Sequence, residues 1–590
     1  MTKSPLVGAE GRLAEPRPLH LRRLAGLTGA LLNQEAMLPP RALRFLPALT
    51  LLACAPQTPS TGTPSARPPV ELAAPAGDEW FRHAVFYEIF VRSFQDSNGD
   101  GQGDLPGLIS RLDYLNDGDP STPTDLGVDA LWLMPVFDSP SYHGYDVVDY
   151  ERIDPDYGTV EDFERLCAEA HRRGMRVIVD LVLNHSSSQH PWFVESASSR
   201  TSPKRDWYLW SDTDPGWRPP WDLFSKGATW YERNGAYYYG VFWSGMPDLN
   251  LKTPAVREEA RRIASFWLGK GADGFRLDAA RYLIETSGGL SGQADTPETH
   301  AFWKELAAHV RSVKPDAVLV GENWTTTPII ATYYGSTAQV PGGDELPLNF
   351  NFPLAEQLLK AARTGDAADV TVKLAEIRSH YPAGVADAPF LTNHDQVRVA
   401  TQLGGKAGDL ATAASLLLTL PGSPFLYYGE EVGMANGTTP NDEARRTPMA
   451  WDASAGAGFT TGTPWVSFSP GVENTHVAAQ VSTPGSLLSR YRELIRVRHA
   501  SRALERGGLK LLTPTQGRAP TLAFLRMVGD ERVLVVHNLT DAVLTAGPLE
   551  LEGDASEVLF ADPSVGSLLR SGGGWSVTLP GHATGIWRLR

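Results

Sequence analysis

The sequence predicts an α/β fold: a (β/α)8 TIM barrel with an inserted domain after its third strand and a C-terminal antiparallel β-sandwich. Three observations point that way. Apolar runs alternate with amphipathic helix patterns from about residue 85 to residue 430, the order expected of a parallel sheet covered by helices. The connection between the third and fourth runs is far longer than one crossover helix needs,. Beyond about residue 505, short strands broken by Gly, Pro and Asp replace the helical patterns,.

In chain order, the candidate barrel strands are VFYEIF from 85, DALWLM from 129, RVIVDLVL from 176 and ADGFRL from 272. AVLVGE from 317, ELPLNF from 345, APFLTN from 388 and PFLYYG from 424 complete the set. VEDFERLCAEAHRR and PAVREEARRIASFWLGK space their apolar residues as helices do,. These assignments give a catalytic barrel over 79–185 and 255–504, an inserted domain over 186–254 and a sandwich over 505–590. The insertion holds seven of the chain's 16 tryptophans, at 192, 207, 210, 217, 221, 230 and 243. Tryptophan faces suit sugar rings, although most of these are expected to form the core of a small irregular domain. The sandwich strands read LKLLTPT, TLAFLRMV, RVLVVHNL, ASEVLFA, GWSVTLP and ATGIWRLR.

The 590 residues carry 53 Lys and Arg against 68 Asp and Glu, a net charge of −15. That balance disfavours nucleic acid as a partner and is compatible with a neutral polymer. Two cysteines exclude a disulfide framework,. Cys167 lies in a helix pattern and reads as a buried thiol. Cys54 follows MLPPRALRFLPALTLLA, two arginines and an apolar run too short to span a bilayer,. The segment resembles a bacterial lipoprotein signal, so residues 1–53 read as a leader with a true start at Met37. Export follows, with Cys54 lipid-anchored at the cell envelope or the protein secreted. Residues 54–78 are rich in Pro, Ser, Thr and Ala and read as a flexible tether,. No oligomeric state is legible.

The chemistry sits at strand ends. DLVLNH, GFRLDAARY, GENW and FLTNHD end apolar runs on Asp180, Asn184, His185, Arg276, Asp278, Glu322, His394 and Asp395. In a β/α barrel the C-terminal strand ends meet on one face, where active sites form. Three carboxylates delivered there supply what glycoside hydrolysis needs. Asp278 stands two residues after Arg276, on the same strand face, and a guanidinium favours an ionised carboxylate, as a nucleophile requires. Glu322 precedes Trp324, and an apolar setting suits a general acid that must hold its proton. Asp395 and His394 are positioned to bind sugar hydroxyls. DSNGDGQGD supplies Asp96, Asn98, Asp100, Gln102 and Asp104, oxygen donors at alternating positions that suit Ca²⁺,. Gly107 occupies the place of the glutamate that closes an EF-hand, so this is a different loop.

Residues 79–500 resemble the α-amylase family of glycoside hydrolases. The resemblance implies that Asp278 is the nucleophile, Glu322 the acid/base and Asp395 the transition-state stabiliser of a retaining double displacement. It implies that Arg276, His185 and His394 line the same subsite, that Asp180 is architectural, and that Tyr145, preceded by His143, stacks under the sugar. Arg281 and Tyr282 stand where the family often has Lys-His facing the leaving group. A calcium loop after the first barrel strand also belongs to the family, and Asn184 matches a calcium ligand of some members.

MPDLN at 246–250 resembles members intermediate between oligo-1,6-glucosidases and neopullulanases. Exo-acting relatives usually carry an acidic residue three before the stacking tyrosine; here it is Tyr142. The expectation is therefore an endo-acting α-amylase on α-1,4-linked glucan oligo- or polysaccharide. The alternatives are 4-α-glucanotransferase or cyclomaltodextrinase/neopullulanase activity and, remotely, a non-catalytic sugar-binding protein on the same fold.

Overall fold

The computed structural model describes residues 70–222, 227–513, 517–571 and 574–590. The expected leader, with Met37 and Cys54, lies outside the described residues.

The core is a curled parallel sheet whose strands are β1 (Phe86–Ile89), β2 (Ala130–Leu133), β3 (Arg176–Leu181), β4 (Gly274–Leu277), β5 (Val318–Gly321), β6 (Leu348–Asn349) and β7 (Phe425–Tyr427). Its order is β6-β5-β4-β3-β2-β1-β7. Parallel bridges Phe350↔Ala388 and Phe390↔Phe425 insert segment 388–390 between β6 and β7, closing the barrel. All eight predicted runs thus contribute, the seventh through isolated bridges only.

Successive strand residues face opposite sides, and the packing follows. Phe86, Ala130, Trp132, Ile178, Val318, Val320, Leu348, Phe350, Phe390 and Phe425 fill the barrel interior. Their neighbours Tyr87, Leu131, Leu133, Val177, Val179, Phe275, Leu277 and Leu319 pack outward under the helices. The same alternation carries the interior face upward onto charge. Glu88 follows Phe86 by two, Asp180 follows Ile178, Arg276 follows Gly274, and Glu322 follows Val320. Ladder register sets Asp180 directly beside Arg276. A polar layer therefore lies above an apolar plug, at the C-terminal mouth.

The predicted helices form at Val160–Arg172 and Pro254–Gly269. Thr159 and Asp162 close a capping box at the first,, and its Cys167 is buried. Within the inserted segment, Trp210–Ser211, Trp230–Arg233 and Ala236–Tyr239 make a small antiparallel sheet. Trp192, Trp207, Trp210, Trp217 and Trp230 pack among its aromatic rings. Trp221 and Trp243 stay exposed.

Past the barrel, two antiparallel sheets stack. Ala523, Leu525, Leu534, Val536, Val577 and Trp587 fill the space between them, while the alternate residues Leu522, Phe524, Val533 and Val535 join the main core. Two strands there, Leu544–Leu549 and Leu569–Ser571, lie outside the predicted runs. The expected tether also ends sooner than residue 78. Glu71–Leu72 pair antiparallel with Leu509 and Lys510 at the sheet edge, because that edge offers unpaired N–H and C=O groups to any extended segment.

Candidate active site

At the mouth lies a cavity of about 690 Å³. Asp278, Glu322 and Asp395 all line it, with His143, Tyr145, His185 and Tyr282. Arg276 is fully buried just beneath. Its Nη1 donates to Asp278 Oδ1 at 2.7 Å and to Asp180 Oδ1 at 2.8 Å. Its Nη2 stands 2.9 Å from Glu322 Oε2, a charge contact outside hydrogen-bond alignment. One guanidinium thus holds the two carboxyls expected to act as nucleophile and acid/base on one patch of the cavity floor.

The backbone contributes as well. Ala279 has φ +49°, a left-handed turn that costs a non-glycine residue strain. That turn aims the Ala279 N–H at Glu322 Oε2, 2.9 Å away. Burial pushes the Glu322 carboxyl up against the pull of Arg276, and the Asp278 and Asp395 charges add to it, giving a value of about 7. A carboxyl at that value holds its proton up to neutral pH, as a general acid must.

Asp395 is set differently. Burial would raise it, but His394 and Arg446 outweigh burial and hold it well below the usual carboxylate range. His394 Nε2 lies 3.1 Å from Asp395 Oδ2, and Arg446 Nη2 donates to Oδ1 at 2.9 Å. Arg445 donates to the Asp395 carbonyl at 2.6 Å. Tyr145 Oη meets His394 Nε2 at 2.6 Å and Asp180 Oδ2 at 3.1 Å, so its ring is fixed edge and face. His185 donates from Nε2 to the Tyr145 carbonyl at 3.2 Å. His143 Nδ1 accepts the Tyr145 N–H at 3.1 Å, and burial lowers the pKa of both imidazoles.

Arg281 corrects the sequence expectation. Its guanidinium grips Asp295 through Nε–Oδ1 at 2.9 Å and Nη2–Oδ2 at 2.6 Å, and donates to the Trp324 carbonyl at 3.0 Å. It is buried and does not line the cavity. Tyr282 alone of that pair reaches the cavity, beside Trp221 and Phe242. Sequence reading missed Phe242, Asp442 and Met246 as lining residues. Trp221, Trp243 and Trp324 stand half exposed around the opening. The tryptophan-rich insertion signalled the first two.

The acidic loop is a ladder of local turns. Asp96 accepts N–H groups of Asn98, Gly99 and Gly101 and the Thr460 hydroxyl. Asn98 and Asp100 accept the N–H two residues on. Asp104 accepts from Ser97 and caps the helix Leu105–Ser110. Among the described residues, no three His, Cys, Asp or Glu gather as a metal cage. The loop's side chains offer oxygens, the donor type a calcium ion takes, and both Asp96 carboxylate oxygens already accept two hydrogen bonds each.

Three carboxyls gathered at one cavity, one raised toward neutral pH and one held ionised, are what glycoside hydrolysis uses,. Comparison with known proteins points to the same class. Residues 88–507 match the alpha-amylase catalytic domain. Alpha-amylase 3 of Dictyoglomus thermophilum is 43% identical over 467 residues, covering 78% of this chain and 86% of that one. Oligo-1,6-glucosidase of Heyndrickxia coagulans is 36% identical over 532 residues, covering 78% and 92%. The trehalose synthase/amylase of Mycobacterium tuberculosis is 37% identical over 516 residues, covering 79% and 83%. Among solved structures, the alpha-amylase from H. orenii superposes with a TM-score of 0.76 at 38% identity, covering 86% of this chain and 99% of that one. The chain belongs to the alpha-amylase family of glycoside hydrolases.

Proposed function

We propose that the protein hydrolyses internal α-1,4 bonds of glucan chains by a retaining double displacement. Asp278 attacks the anomeric carbon while Glu322 protonates the departing glycosidic oxygen. Water, activated by the same Glu322 now acting as base, then releases the sugar from Asp278. Asp395, fixed by His394 and Arg446, faces the positive charge that develops on the ring. The observation that carries this reading is the delivery of all three carboxyls to one cavity. The endo preference is supported by Tyr142, which occupies the position three before Tyr145 and stacks on Trp465 at 5.3 Å. A carboxylate there would clamp a chain end, whereas a ring accepts a chain passing over it.

Transfer to a sugar acceptor is the second reading, favoured by the withdrawal of Arg281, which leaves Tyr282, Trp221 and Phe242 on the acceptor side without a cation. Incubation with soluble starch, pullulan, cyclodextrin and maltotriose separates the two. Endo hydrolysis gives mixed short maltodextrins from starch with α-configured new ends; products longer than maltotriose signal transfer. Release of glucose alone from chain ends would overturn the endo reading. Asp278→Ala should lose several orders of magnitude in kcat on every substrate with the fold intact. We propose in addition that Ca²⁺ binds the Asp96–Asp104 loop, supported by the oxygen-only donor set.

A further inference from the structure

Glu88 is the one carboxylate of the mouth's polar layer to which no role has been given. It sits on β1, 1% exposed, and its Oε1 lies 2.5 Å from His394 Nδ1. The opposite ring nitrogen of His394 faces Asp395 Oδ2 and Tyr145 Oη. The imidazole is therefore strung between two carboxylates, one at each nitrogen. Trp132 packs edge-on against it at 5.8 Å, and the His394 carbonyl accepts from Arg446 Nε at 3.2 Å.

We propose that Glu88 is a positioning residue: through Nδ1 it fixes the ring and charge of His394, and so presents Asp395 to the substrate. A neutral imidazole carries one N–H. With that hydrogen given to Glu88, Nε2 could accept only from the Tyr145 hydroxyl, whose single hydrogen also serves Asp180 at 3.1 Å, and its lone pair would face the Asp395 carboxylate 3.1 Å away, a contact that repels. Only the imidazolium donates to both sides. The surrounding charges agree. Glu88 and Asp395 face the ring directly, Asp180 reaches it through Tyr145, and the opposing cation Arg276 lies beneath. Burial lowers the His394 pKa, but Asp395 and Glu88 overcome burial and raise it to about 9. Loss of Glu88 would free the ring to lose its proton, to turn, or both. Asp395 would then lose a donor while keeping Arg446.

This inference rests on the reading of Asp395 as the charge stabiliser, and the experiment keeps the two separable. Glu88→Gln preserves shape and an acceptor for Nδ1–H but removes the charge. Imidazole NMR, with His394 assigned by His394→Gln, should show its titration midpoint fall by about 1–3 pH units, the reach of a nearby charge. In the same variant, kcat/KM on maltodextrin at pH 8 should fall about tenfold, and the alkaline limb should steepen as a second deprotonation enters the range. Glu88→Asp should recover part of both effects, which a general loss of packing would not do. An unchanged midpoint in Glu88→Gln overturns the proposal, as does equal impairment of both variants with the wild-type pH profile. Should Glu88→Gln fail to fold, the intact protein decides: two ring N–H signals for His394 at pH 8 are expected, and one refutes it. Wild-type protein inactive on glucans would instead refute the proposed function and leave the NMR result standing.

Discussion

Replacing Glu322 by Gln should separate its catalytic work from the cost of placing it. The carboxyl is raised from an ordinary 4.5 to about 7, and its side chain is only 13% exposed. At about 1.4 kcal/mol per unit, ionising it in the folded protein costs about 3 kcal/mol more than in the unfolded chain. For an acid raised in this way, the folded state holds the proton longer. Stability is thus full below about 4.5, falls as pH rises from there to about 7, and is flat above. Gln cannot ionise, so Glu322→Gln should be more stable than wild type by up to about 3 kcal/mol at pH 8, roughly 3 °C in Tm for a chain of this size, and equal at pH 4. The same change removes the proton donor. On maltodextrin kcat should drop by about 10³-fold, while an aryl maltoside with a leaving group that departs unprotonated should lose far less in its first step. Differential scanning calorimetry across pH and steady-state kinetics on both substrates measure these. Equal losses on the two substrates, or wild-type kcat/KM flat through pH 8, would refute the assignment.

Two further outcomes follow from the same geometry. Asp295→Asn strands the buried Arg281 guanidinium and should cost about 3 kcal/mol, whereas the double change with Arg281→Met should recover much of it. If Arg281→Met instead raises KM for maltotriose tenfold with Tm unchanged, the residue contacts substrate after all. Millimolar Ca²⁺ added to chelator-treated protein should raise Tm by several degrees where Mg²⁺ does not, because the loop's oxygens suit the larger ion; identical melting curves would remove calcium from the proposal.

The barrel could be read from the chain because period-two strands and period-3.6 helices each write their own pattern, and because strand ends expose their polar residues in order. Asp278, Glu322 and Asp395 were found for that reason. Glu88 was not, since in VFYEIF it looks like one polar residue in an apolar run, and its partner His394 lies 306 positions away. Arg281 was misjudged in the same way: its anchor Asp295 sits in a loop whose path only the fold determines. The strand Leu544–Leu549 hid behind its proline, which lacks the N–H a ladder uses. The Glu88 and Arg281 misses are contacts between separate segments, which local spacing does not encode.

The seat of Glu71 and Leu72 has a practical corollary. They border a hollow shared with Asp387 and Gly422, residues that lead into the last two staves of the barrel and therefore mark its rear. An attachment engineered at residue 70 would therefore hold the protein by the end of the barrel opposite its working opening, and leave that opening clear for polymers too bulky to travel.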